Sequence, residues 1–110
     1  MVIFPESSWQ HANERLHLVD LGGSWTSAIT TVTKPDLIIE NPQIGGLVRT
    51  AIERYVRFDN RLNQHVIVPM KVLQTDEKLP GYTAKAGSRL ATTVFASQDV
   101  PKAPVIWSKT

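Results

Sequence analysis

Residues 41 to 58 read "NPQIGGLVRTAIERYVRF", and the apolar spacing in this stretch limits the folds open to the chain more than any other feature. On a helical wheel, Ile44, Leu47, Val48, Ala51, Ile52, Tyr55 and Val56 share one half. Arg49, Thr50, Glu53, Arg54 and Arg57 share the other. Asn41 suits an N-cap, where its side-chain oxygen can accept a backbone N–H, and Pro42 suits the first helical position, where no N–H is needed. Asp59 would fall back on the apolar side. The pattern therefore predicts one main amphipathic helix over about 42–58, with one face packed on a sheet and an arginine-bearing face turned outward.

The rest of the chain supplies the sheet. "VIF" before Pro5 reads as a short edge strand, and Ser7 with Gln10 has capping-box spacing for a short helix over residues 8 to 14. Two β-prone runs, about 15 to 21 and 24 to 33, flank Gly22-Gly23, a turn signal for a hairpin. Leu37 to Glu40 lies between Pro35 and Pro42 and reads as a strand or an extended approach to the helix. "QHVIVPMKVL" is apolar on both faces, as an inner strand is, until Pro69 interrupts it with a bulge or an exposed edge. "RLATTVFAS" reads as one strand, with Leu90, Thr92, Val94 and Ala96 on one face and Ala91, Thr93, Phe95 and Ser97 on the other. Between them "QTDEKLPGYTAKAG" forms a long connection around a type II Pro80-Gly81 turn. The fold class expected is α+β, an antiparallel sheet of about four to six strands packed against the 42–58 helix. Residues 1–98 form a single domain in this reading, and 99–110 form an extended C-terminal arm.

Length and composition narrow the functional classes. A chain of 110 residues accommodates one domain with one core, and the absence of cysteine removes disulfides, thiolate chemistry and the usual zinc sites. No apolar run reaches membrane-spanning length, and "MVIFPESSWQ" lacks the basic and apolar regions of a secretory signal. A soluble protein follows, with cytoplasm or virion the favoured setting. Twelve Lys and Arg against ten Asp and Glu leave a net charge of +2, too small to imply a polyanionic partner unless the charge is clustered.

Such a cluster exists at Arg49, Arg54, Arg57 and Arg61. It reads first as the solvated or protein-contacting face of a helix, and second as a phosphate-binding surface, since Glu53 sits within it and no nucleic-acid module motif accompanies it. Gly45 and Gly46 lack the order and lysine of a phosphate loop. His11, His17 and His65 lie too far apart in sequence to suggest a metal site, and no serine sits in a nucleophile motif. Asp76-Glu77, Asp20, Asp36 and Glu40 read as turn and cap acids rather than a catalytic pair. No catalytic, cofactor or metal residues are assigned.

The C-terminal "DVPKAPVIWSKT" carries the remaining signal. Pro101 and Pro104 favour an extended backbone, and Val105, Ile106 and Trp107 form an apolar group that calls for a surface to pack on. The leading expectation is a structural or assembly protein, a small viral or phage particle subunit among such proteins, whose arm docks on itself or another protein subunit. Packing of the arm on its own domain is the competing outcome. The alternative function is a nucleic-acid-binding module using the arginine face, and the third is an enzyme or small-ligand binder.

Overall fold

A computed structural model describes residues 2–3, 26–40 and 51–109, with backbone alone at 51 and 52. In chain order the elements are β1 (Val2–Ile3), α1 (Thr26–Thr33), β2 (Leu37–Glu40), β3 (Ala51–Asp59), β4 (Gln64–Val72), β5 (Glu77–Leu79), β6 (Tyr82–Ala84), β7 (Arg89–Ala91), β8 (Phe95–Ser97) and β9 (Val105–Ser108). Among the described residues seven strands make one sheet in the order β1-β7-β4-β3-β2-β9, with β8 also paired to β4, and β5 and β6 form a separate hairpin. The fold is α+β and dominated by strands. The sheet is antiparallel except where β1 runs parallel to β7.

The largest correction concerns the expected 42–58 helix, because residues 51–59 are a strand. β3 lies between β2 and β4, pairing Tyr55 with both Ile38 and Val68, and Val56 with both Leu37 and Ile67. Both of its backbone edges are therefore paired, and apolar groups pack on both of its faces. Tyr55 packs toward Ala28 of α1 while Val56 packs with Ile39 and Ile67 on the other side. Adjacent apolar residues then suit a strand as well as a helix, and the strand alternation that would have told them apart is lost. Two glycines within the expected helix, Gly45 and Gly46, argued locally against it at about 1 kcal/mol each. Residues 41–50, including Arg49, lie outside the described residues, as do the expected 8–14 helix, the 15–21 strand and the Gly22-Gly23 turn.

The second correction is the converse. Residues 26–33, expected within a strand, form α1. Its sequence, TSAITTVT, is rich in β-branched residues, yet Ser27, Ala28 and Thr31 are buried and Val32 packs beside them. That is the spacing of one helical face. The threonine hydroxyls adapt to the helix: Thr31 Oγ1 donates to the Ser27 carbonyl at 2.7 Å, and Thr33 Oγ1 to that of Ile29 at 3.0 Å. Docking on β3 and β4 outweighs an unfavourable local propensity. After a last bond from Lys34 N to the Thr30 carbonyl at 2.8 Å, Pro35 stops the helix.

Strand β4 is inner, as its sequence suggests, and Pro69 marks the irregularity. Met70 is paired with Ala91 and Ile67 with Phe95, so residues 92–94 stand opposite 68 and 69. The 89–97 strand is thereby broken into β7 and β8 with one extra residue between them. The bulge shifts the alternation. Ala91, Val94 and Ala96 all join the α1 side of the core, whereas a regular strand would have set Ala91 against the other two. Proline lacks the N–H that a regular ladder would use here, and its carbonyl accepts from Thr92 N at 3.0 Å.

The long connection is the β5–β6 hairpin, closed by Pro80-Gly81 with Leu79 opposite Tyr82. Gly81 at φ 84° supplies the left-handed angle that the turn requires. Behind the hairpin, Leu73, Ala84 and Leu90 make a small satellite core with Ile3 and Leu79.

Candidate functional site

The C-terminal residues fold back on their own sheet. From β8 the chain crosses the face opposite α1, where Val100 and Ala103 pack on the cluster of Ile39, Val56 and Ile67, and then enters β9 against β2. Pro101 is half-buried along this crossing and Pro104 is exposed, its carbonyl accepting from Glu40 N at 3.0 Å. Leu37 is paired with Ser108, Ile38 with Trp107 and Ile39 with Val105. The register slips between Ile38 and Ile39, so Ile106 has no opposite residue on β2.

This placement fixes the backbone but leaves about half of each apolar side chain open. Val105, Ile106 and Trp107 remain 60%, 49% and 45% exposed. Because β9 ends the strand order, one of its backbone edges has no neighbouring strand among the described residues. Its sequence carries no charge between Val105 and Ser108. An apolar edge of this kind is a template for another strand, and proteins that do not use such edges commonly blunt them with lysine, proline or a bulge. Pro104 and Lys109 flank β9 and the bulge lies within it, so these devices border the apolar residues without covering them.

Asp36 clamps the end of this strand. Its Oδ1 accepts from Lys109 Nζ at 2.8 Å and its Oδ2 from Phe58 N at 2.7 Å, while its carbonyl accepts from Lys109 N at 3.0 Å. Burial pushes the Asp36 carboxyl up, but the Lys109 and Phe58 hydrogen bonds, with the Lys109 and Arg57 charges, hold it below the usual carboxylate value. One side chain thus ties β2, β3 and β9 together.

The expected arginine face takes a different form. Arg54 and Arg57 stand three apart on a strand, so they project to opposite faces of the sheet. Arg54 Nη2 donates to the Glu40 carbonyl at 2.8 Å, bracing β3 to β2. Arg57 Nη2 reaches Asp59 Oδ2 at 3.0 Å, and Arg61 Nη2 reaches Ser27 Oγ at 3.1 Å. The structure therefore brings Arg57 and Arg61 together, around Asp59 and Ser27, and separates Arg54 from them.

Asp59 is the centre of that group and was not singled out by sequence reasoning. It is 5% exposed, and its carboxylate accepts from Ser27 Oγ, Arg57 Nη2, Arg61 N and Leu62 N. Burial pushes its carboxyl up, and these donors hold it below the usual value. The Asp-Asn pair opening the β3–β4 turn was the available signal, since aspartate at such a position often caps the turn amides. Glu53 and Arg89, a pair joining β3 to β7 with Nε to Oε2 at 2.8 Å, had no sequence signal because they stand 36 positions apart.

Family models, curated proteins and solved structures all gave no match to the chain. Among the described residues no group of three or more His, Asp or Glu is placed to hold a metal ion, and no helix is long and apolar enough to cross a membrane.

Proposed function

We propose that the chain is an assembly protein that works through protein–protein contacts made at the outer edge of β9. A small particle subunit, as of a viral shell, is the narrower form of this reading. The observation that carries it is the edge itself: Val105, Ile106 and Trp107 stand 60%, 49% and 45% exposed on a strand whose backbone pairs with β2. A group of this kind loses its contact with water when a partner strand or surface covers it.

The electrostatics support this over the nucleic-acid reading. Phosphate binding needs basic side chains that reach outward. Arg54, Arg57 and Arg61 each make a hydrogen bond within the fold, and Lys71, Lys85 and Lys109 pair with Glu77, Asp76 and Asp36, so much of this charge is balanced by the protein's own groups. The test is the mass of the purified chain in solution, by light scattering coupled to size exclusion and by native mass spectrometry. A defined oligomer is the expected result. A monomer at every concentration, together with salt-dependent binding to generic oligonucleotides, would reverse the order of the two readings.

A further inference from the structure

We infer that the partner of β9 is the β9 strand of a second copy, paired antiparallel about a two-fold axis to make one sheet continuous through both molecules. The inference rests on the assembly reading above and names its partner.

Three observations point to a second copy. The first is charge. Val105 to Ser108 carries none, so self-pairing sets no like charges opposite each other, a frequent obstacle to pairing a strand with itself. The second is the strand's flank. Lys109, the nearest cation, is held by Asp36 at 2.8 Å, so its charge is balanced within its own molecule. In an antiparallel two-fold pairing centred between Ile106 and Trp107, it falls opposite Pro104, whereas parallel pairing in register would set Lys109 beside Lys109. The third is shape. Ile106 has no opposite residue on β2, and the strand has exposed apolar side chains on both faces of the sheet: Trp107 in register with Ile38 on the α1 side, and Val105 with Ile39 on the other. A strand added at the edge provides neighbours on both faces at once, which a flat surface docking on one face does not. An isologous contact needs one surface to be complementary to itself, and an uncharged apolar edge satisfies this directly.

The experiment compares the full chain with Val105→Lys and, separately, Ile106→Lys. Both positions are exposed, so far-UV circular dichroism and the urea midpoint, measured at concentrations where the parent is monomeric, should stay close to the parent values. Sedimentation velocity across a hundredfold range of concentration should show the parent passing from monomer to dimer, with both variants shifted at least tenfold toward monomer. Amide exchange of the unmodified chain gives a second readout independent of any variant. Amides of residues 105–108 should exchange several-fold more slowly at high concentration, while those of β4 stay constant. An oligomer that survives both lysines with no change in exchange at 105–108 overturns the β9 pairing and leaves assembly through another surface. A monomer throughout overturns both the pairing and the assembly reading.

Discussion

Replacing Asp59 by alanine tests the account of the α1–β3–β4 junction most directly. The carboxylate accepts from Ser27 Oγ at 2.8 Å, Arg57 Nη2 at 3.0 Å, Arg61 N at 2.9 Å and Leu62 N at 3.2 Å, so one truncation strands donors on a helix, a strand and a turn. Hydrogen bonds to a charged acceptor are worth about 1.5 to 3 kcal/mol each, but four that share one group do not add. Breaking a mostly buried ion pair by removing one partner costs about 3 to 5 kcal/mol, and that sets the estimate. Asp59 and Arg57 side chains are 8% and 19% exposed, which places the pair near the lower end. A loss of about 3 kcal/mol is a large share of the 5 to 15 kcal/mol that stabilises a typical domain. Urea unfolding followed by tryptophan fluorescence and circular dichroism measures it. Asp59→Asn keeps an acceptor for the turn amides and should lose about half as much. A double-mutant cycle with Ser27→Ala should give a coupling of about 1 kcal/mol. An Asp59→Ala protein within about 0.5 kcal/mol of the parent would refute the view that this carboxylate joins the helix to the sheet.

Other consequences are equally open to measurement. Val68→Asp places a charge at a position 0% exposed in the centre of the sheet and should leave the chain unfolded at 25 °C by circular dichroism; a cooperative thermal transition near the parent's would contradict the core described above. Deleting residues 101–110 removes the β9 ladder and half-buried apolar groups, so the monomer should lose about 2 to 4 kcal/mol, and an unchanged urea midpoint would show that the strand does not pair with β2 in solution. Asp36 and Asp59 are both held below the ordinary carboxylate value in the folded state, so their contribution is fully present above about pH 4 and is lost as pH falls through the lowered values. The stability gap between the parent and Asp36→Asn should therefore close in acid, and parallel acid limbs would remove Asp36 from the account. Arg57→Gln should cost about 1 to 3 kcal/mol through its contact with Asp59, whereas a purely solvated arginine would change nothing beyond about 0.5 kcal/mol.

What the sequence by itself determined is what a single residue's chemistry can enforce. Pro69 has no N–H to give a ladder, and the break appears beside it. Gly81 alone can adopt the angle at its turn without strain, and the hairpin closes there. Val2–Ile3, Leu37–Glu40 and Gln64–Val72 are strands because their short apolar runs are bounded by breakers or turns. The identity of residues 51–59 and 26–33 was decided only by tertiary structure, and in opposite senses. A central strand buried on both faces carries apolar residues at neighbouring positions, so Tyr55 and Val56 fit the helical wheel as readily as the sheet, and only pairing with β2 and β4 chooses between them. The β-branched α1 becomes a helix because Ala28 and Thr31 can then be buried together on one face. The same is true of the candidate site. Val105, Ile106 and Trp107 announce an apolar surface in the sequence, but their position at a sheet edge, with backbone held and side chains open, depends on Asp36 and Glu40 lying more than sixty positions away. Pairing across such a separation has no local signature, because the free energy that selects it exists only when the distant strands have met.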